Sequence, residues 1–102
     1  MRTYVTLLNF TDLGIRDIRN SPHRADLFSE AAAAAGARVL QVFWMIGEFD
    51  GLLILEAPDD ETAASVLVAL AASGNVRTRT MRAYEWADFQ GVIDRARGLL
   101  SD

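Results

Sequence analysis

Apolar residues recur along this chain in short runs that predict four strands. The runs are residues 3–10 (TYVTLLNF), 38–46 (RVLQVFWMI), 51–56 (GLLILE) and 76–84 (VRTRTMRAY), and β-branched, aromatic and aliphatic side chains dominate them. Between the first two runs, Ser21-Pro22 offers a capping hydroxyl and a proline suited to the first helical position. A helix is therefore predicted to begin there and to end at Gly36.

Further helices are predicted around the last strand, with a short helical segment over residues 11–20. The acidic run at residues 59–61 suits a helix N-terminus, and that helix is expected to extend to Ser73 and to end at Gly74-Asn75. Residues 87–100 are predicted to form a last helix with an apolar stripe of Phe89, Val92, Ile93, Ala96 and Leu100. This order predicts an α+β, ferredoxin-like βαββαβ antiparallel sheet, both main helices on one face, and an extra C-terminal helix.

Both faces of the predicted sheet are apolar, although a sheet with one wet face should alternate apolar and polar residues. In the third strand Leu52 and Ile54 oppose Leu53 and Leu55. In the second strand one face is expected to carry Val39, Phe43 and Met45, and the other Leu40, Val42, Trp44 and Ile46. Either the last helix or a second subunit must cover the second face, and a homodimer or higher oligomer with facing sheets is expected.

Composition restricts the classes of function. The 102 residues fit a single domain spanning 1–102, and the net charge of -4 disfavours nucleic acid and anionic membranes as partners. The chain has no cysteine and one histidine, which excludes disulfides, thiolate catalysis and multi-histidine zinc sites. No apolar run reaches the roughly 18 residues needed to span a bilayer, so a soluble, cytoplasmic protein is expected. No cofactor motif is found, and neither a metal nor a cofactor is expected.

Three long segments resemble the GYD domain family in order, spacing and wording. They are TYVTLLNFTDLGIRDIRNSPHRADLF, GEFDGLLILEAPDDETA and GNVRTRTMRAY, and within them SP-x-R-A, G-E-x-D, E-A-P-D-D and G-N-V-R-T fall at the expected places. The resemblance covers nearly the whole chain. It implies a dimeric α/β barrel of ferredoxin-like type, and it brings no established activity.

The chain departs from the Gly-Tyr-Asp signature of that family, because its aligned positions are Gly47, Glu48, Phe49 and Asp50. Phenylalanine has no hydroxyl, so a role that needs a phenol is absent here. We interpret the segment as a structural hairpin: Gly47 takes an unusual backbone shape, Phe49 packs beneath the turn, and Asp50 accepts hydrogen bonds from turn N–H groups.

The remaining polar and aromatic candidates are consistent with ligand binding, and each also has a structural explanation. His23 falls on a first helical turn, where a solvated side chain is the simpler interpretation and a general base the sharper one. Arg77 and Arg79 alternate on an edge strand, where charges prevent aggregation or capture an anion, and Arg82 lies on the opposite face. The amphipathic candidates for a cavity wall are Asn9, Trp44 and Tyr84.

The function expected from these patterns is a homo-oligomeric small-molecule-binding or accessory module. The alternative is a cofactor-independent small enzyme, similar to the monooxygenases and isomerases built on dimeric α/β barrels. Its only support is analogy of fold. A third possibility is a purely structural or interaction protein.

Overall fold

Residues 1–100 are described by a computed structural model, in which one antiparallel sheet has the strand order β2-β3-β1-β4. The strands are β1 (Arg2–Phe10), β2 (Arg38–Trp44), β3 (Gly51–Ala57) and β4 (Val76–Ala83). The helices are α1 (Asp12–Arg16), α2 (Ser21–Ala34), α3 (Asp60–Ala72) and α4 (Trp86–Ala96), with single 3₁₀ turns at Ile18–Asn20 and Arg97–Leu99. The element order and the antiparallel pairing confirm the predicted ferredoxin-like architecture with an extra C-terminal helix.

Side-chain caps begin two of the helices. Thr11 Oγ1 accepts the Gly14 N–H of α1, and Asp59 Oδ1 accepts the Thr62 N–H of α3 at 2.8 Å, so the acidic run does serve a helix N-terminus. The predicted cap at Ser21 is wrong. Ser21 is already the first residue of α2, Asn20 precedes it without a side-chain cap, and the Ser21 hydroxyl is used elsewhere.

The core lies on one face of the sheet, which α2 and α3 cover. On β3 the residues Gly51, Leu53, Leu55 and Ala57 are buried, in alternation with less buried neighbours. Tyr4 and Thr6 of β1 pair with Leu55 and Leu53, and they are buried on the same face. We call this the covered face and the other the open face.

A β-bulge in β2 changes the faces predicted for that strand. The pairing register shifts between Val39 and Gln41, so Val39, Val42 and Trp44 oppose covered-face residues of β3. Gln41 and Phe43 lie on the open face, opposite Ile54 and Leu52. The predicted grouping of Val39 with Phe43 is therefore wrong, because an inserted residue reverses the alternation. The strand also ends before Met45 and Ile46, which belong to the following loop.

The open face keeps an apolar centre. Val5 and Leu7 of β1 lie beside Ile54 and Leu52 of β3 and are half-buried. At the flanks, Phe43 is 50% exposed and Met81 is 49% exposed. The prediction that both faces of the sheet carry large apolar side chains is confirmed.

The C-terminal helix does not cover the open face. In the described chain α4 extends away from the sheet, and its side chains are exposed except for a half-buried Ala96. Phe89 of this helix forms an edge-to-face pair with Tyr84, with ring centroids 6.3 Å apart. Among residues 1–100 no helix combines the length and the apolar character needed to cross a membrane.

Candidate functional site

An apolar cleft opens between α2 and α3 on the covered face, and we call it the helix cleft. Its volume is about 530 Å³, within the range of about 300–1,000 Å³ usual for small-molecule pockets. The strands supply its floor through Leu8, Val42 and Leu53. Its walls are formed mainly by side chains of the two helices, among them Leu27, Phe28, Ala31, Ala35, Val66, Ala69 and Leu70.

Several positions where the two helices line the cleft carry small residues, which leaves part of the space between them unfilled. The α2 side of the cleft includes Ala25, Ala31 and Ala35, the last of which follows the helix, and the α3 side includes Ser65 and Ala69. Protein cores are normally packed to the density of organic crystals, and side chains ending at Cβ or Oγ cannot fill the space between two helices. The alanine run favours the helix and also leaves the gap.

Polar groups cluster at one end of the cleft. Trp44 Nε1 donates a hydrogen bond to Ser21 Oγ at 3.0 Å. Arg24 Nη1 donates to Asp17 Oδ2 at 2.6 Å and to the Asp17 carbonyl at 2.9 Å. Arg24 Nη2 is shielded from solvent and has no hydrogen-bond partner among the described residues. Asp50 also lines the cleft.

Asp50 ties the hairpin that follows β2 to the end of β1. Its Oδ2 accepts the Phe10 N–H at 2.9 Å, and its own N–H donates to the Leu8 carbonyl. The predicted acceptor role is thus directed to β1 and not to turn N–H groups. Gly47 has a φ of 140°, a shape that favours glycine.

A second depression lies between α3 and β4, with a volume of about 500 Å³. Tyr4 Oη donates to Asp60 Oδ1 at 2.5 Å, and Arg2 Nη1 lies 3.4 Å from the same oxygen. The Tyr4 hydrogen bond, with help from the charges of Arg2 and Arg82, lowers the pKa of Asp60. Burial, followed by the contact with Asp60, raises the pKa of Tyr4.

The candidate residues named from the sequence do not meet at one place. Trp44 lines the helix cleft, Arg82 lines the second depression, and the Arg82 guanidinium lies 4.4 Å from the centre of the Tyr84 ring. His23 is exposed at the start of α2 and lines neither space. Asn9 Nδ2 donates to the Glu48 carbonyl at the hairpin.

Arg77 and Arg79 project from the open face, opposite Asn9 and Leu7 of β1. The Arg79 guanidinium carbon lies 5.9 Å from the centre of the Phe49 ring, at the base of the hairpin. Arg77 and Arg79 are therefore separated from both depressions by the sheet. In the described residues, no three acidic, histidine or cysteine side chains are grouped so that they could hold a metal ion.

Sequence reasoning missed Arg24 as a cleft residue, although a signal was present. Ser21, Arg24, Phe28 and Ala31 are spaced three or four positions apart, which places them on one face of a helix. An arginine on that face, between a serine and a phenylalanine, indicates a charged group at the edge of an apolar wall.

Comparison with known proteins agrees with this architecture. The family model described as "GYD domain" matches residues 4–93. A relative from Thermus thermophilus, described as "Glutamine synthetase and cystathionine beta-lyase binding protein", is 32% identical over 89 residues, covering 86% of this chain and 94% of the relative.

A crystal structure of a Thermus thermophilus protein superposes with a TM-score of 0.53 and 23% identity, over 83% of this chain and 95% of that one. This structural likeness shows the fold alone. The fold defines the class of small α+β proteins with one antiparallel sheet and two helices on one face. Within that class, the family match shows that this chain belongs to the GYD domain family.

Proposed function

We propose that this protein is a homo-oligomeric binding module whose helix cleft takes a small, mainly apolar organic molecule. The observation that supports the proposal is the helix cleft itself, about 530 Å³ in volume and lined mainly by aliphatic and aromatic side chains. A space of that size in a folded domain forgoes dispersion contacts, and an apolar ligand restores them.

A thermal-shift screen of small apolar compounds tests the proposal. A ligand that binds the folded chain alone raises the melting temperature, and the rise grows with the ligand's excess over Kd. We expect hits with the native chain and their loss in Ala31→Phe, because the added ring would occupy the cleft.

Ala33→Phe is the matched control, since Ala33 is exposed on the same helix and does not line the cleft. It should keep the hits. A screen without hits, or hits that survive Ala31→Phe unchanged, would contradict binding in the cleft.

The oligomeric part of the proposal is supported by the open face. Phe43 and Met81 are about half exposed there, beside the apolar centre formed by Val5, Leu7, Leu52 and Ile54. Each large apolar side chain left in water forgoes about 1.5–3 kcal/mol of burial. Two open faces in contact would bury these groups, as the resemblance to dimeric barrels implies.

An accessory role through protein partners is the second candidate. It is supported by the relative described as binding glutamine synthetase and cystathionine β-lyase, with 32% identity across most of both chains. Calorimetry of this protein with the two purified enzymes, taken from the organism that encodes this chain, tests the accessory role. Binding of either enzyme would support an accessory role, and no heat with either enzyme at tens of micromolar would count against it.

An enzymatic role remains the alternative, and fold analogy is its only support. The exposed His23 lies outside the helix cleft, so a general base for a cleft ligand would have to come from another residue. Turnover of a screening hit, measured by mass spectrometry of the products, would favour the enzyme over the binding module.

A further inference from the structure

Arg24 provides a hydrogen-bond donor that the folded chain leaves unused at the helix cleft. Its Nη1 makes both contacts to Asp17, while Nη2 is excluded from solvent and unpaired among the described residues. A buried donor without an acceptor has a desolvation cost that no hydrogen bond repays, and this cost is larger for a charged donor. An acceptor atom brought by a ligand would remove that cost.

The charges around this end of the cleft restrict the kind of acceptor. The Asp17 carboxylate already neutralises Arg24 at 2.6 Å. Asp50 adds a second carboxylate to the cleft lining. The cleft lining and the partner of Arg24 thus contribute two carboxylates and one guanidinium, so a third negative charge on a ligand would be repelled.

Resting on the proposed function, we propose that the ligand class of the helix cleft is neutral apolar molecules carrying a carbonyl oxygen. On binding, the guanidinium turns Nη2 into the cleft, where the carbonyl accepts its hydrogen bond, and the hydrocarbon body lies along Phe28 and Leu53 towards α3. Carboxylates and phosphates of the same size bind more weakly. The carbonyl oxygen is the one polar atom that the site requires of the ligand.

Three naphthalenes of nearly equal size test the class of ligand: 2-acetylnaphthalene, 2-ethylnaphthalene and 2-naphthoate. The first carries a neutral carbonyl, the second has no hydrogen-bond acceptor, and the third carries a carboxylate. We expect the ketone to bind about tenfold more tightly than the hydrocarbon, the difference that one hydrogen bond from a charged donor makes. The naphthoate should bind more weakly than the ketone. Isothermal calorimetry measures all three dissociation constants.

Two variants assign the preference to Arg24. Arg24→Met keeps an apolar stem without the donor, and it should reduce the ketone to the affinity of the hydrocarbon. Asp17→Asn leaves the guanidinium without its neutralising carboxylate, and it should raise naphthoate affinity by several fold. Circular dichroism checks that each variant folds, and if Arg24→Met does not fold, the native ligand series and Asp17→Asn still decide.

The outcomes separate this inference from the proposed function. Equal binding of ketone and hydrocarbon, abolished by Ala31→Phe, leaves the cleft as the binding site and overturns the role of Arg24. Preferred binding of naphthoate overturns the neutral class. No binding of any of the three, up to the solubility limit, contradicts both the inference and the proposed cleft.

Discussion

Single polar side chains distinguish the two depressions of the covered face. Arg24 leaves one nitrogen unpaired beside the helix cleft, whereas Tyr4, which is 5% exposed, donates its hydroxyl proton to Asp60. The first arrangement keeps a donor for a ligand. The Tyr4–Asp60 hydrogen bond gives the buried Tyr4 hydroxyl the partner that it needs, so this pair is better explained as part of the fold.

Tyr4→Phe should raise the pKa of Asp60 towards its ordinary value, because the tyrosine hydrogen bond is the largest cause of the depression. A carboxyl whose folded pKa is depressed adds stability above its unfolded pKa, and this stability is lost as pH falls through the folded pKa. Native and variant stabilities should therefore converge on the acid side of that window. Carboxyl ¹³C NMR titration measures the pKa directly.

Asp59 is the internal control for that titration. Its pKa is lowered by the side-chain and backbone contacts with Thr62, which Tyr4→Phe does not touch. An unchanged Asp60 titration beside an unchanged Asp59 would show that the Tyr4 hydroxyl does not hold the carboxylate.

The stability of the native chain should also fall as the pH rises through the ordinary tyrosine range, because the folded state raises the pKa of Tyr4.

Helices and strands differ in how completely they are held. α1 is short but tightly tied to the connection between α3 and β4: Thr11 Oγ1 donates to the Gly74 carbonyl, and Thr11 N–H donates to the Asn75 carbonyl at 3.0 Å. By contrast α4 has more than twice that length and little packing. We therefore expect the local stability of α1 and α4 to follow their contacts and not their lengths.

Gly14→Ala tests the close packing of α1. A Cβ at this position would lie 2.0 Å from the Asn75 carbonyl oxygen, which is backbone and cannot rotate away. We expect a loss of about 1–3 kcal/mol in the free energy of unfolding, measured by urea denaturation. The clash also explains why a buried helical position carries glycine.

Gly91→Ala in α4 is the matched control. Nothing lies within 4 Å of a Cβ built there, so the change removes only the helix-weakening effect of glycine. It should leave the unfolding free energy of the sheet unchanged or slightly raise the helicity. Equal losses in the two variants would show that Gly14 does not report on packing.

Across the whole molecule, the sequence predicted the element order from its apolar runs, and it predicted the two-sided sheet from the lack of polar residues at alternate strand positions. The period of two in residues 51–56 is preserved in β3, where Leu53 and Leu55 are buried and Leu52 and Ile54 face the other way. The bulge in β2 escaped prediction because an extra residue in one strand is defined by its partner strand.

The candidate site was less predictable for a similar reason. Trp44 was named from its chemistry, and it does line the cleft. Arg24 was overlooked although its spacing from Ser21 and Phe28 places it on the same face of α2, because the sequence does not show that a cleft opens between α2 and α3. The exposed position of α4 was not predictable either. Its apolar stripe is suited to packing, and the sequence does not show that the rest of the chain leaves this stripe uncovered.

We expect that one copy of this chain cannot cover both faces of its sheet, and the oligomeric proposal depends on this. Light scattering during size exclusion at micromolar concentration tests it most directly. The native chain should elute at twice the mass of one chain or more, and Ile54→Glu, on the open face opposite Val5, should shift it to the monomer. Val68→Glu, on an exposed α3 position, should keep the native mass. A monomeric native chain under these conditions would contradict association through the open face.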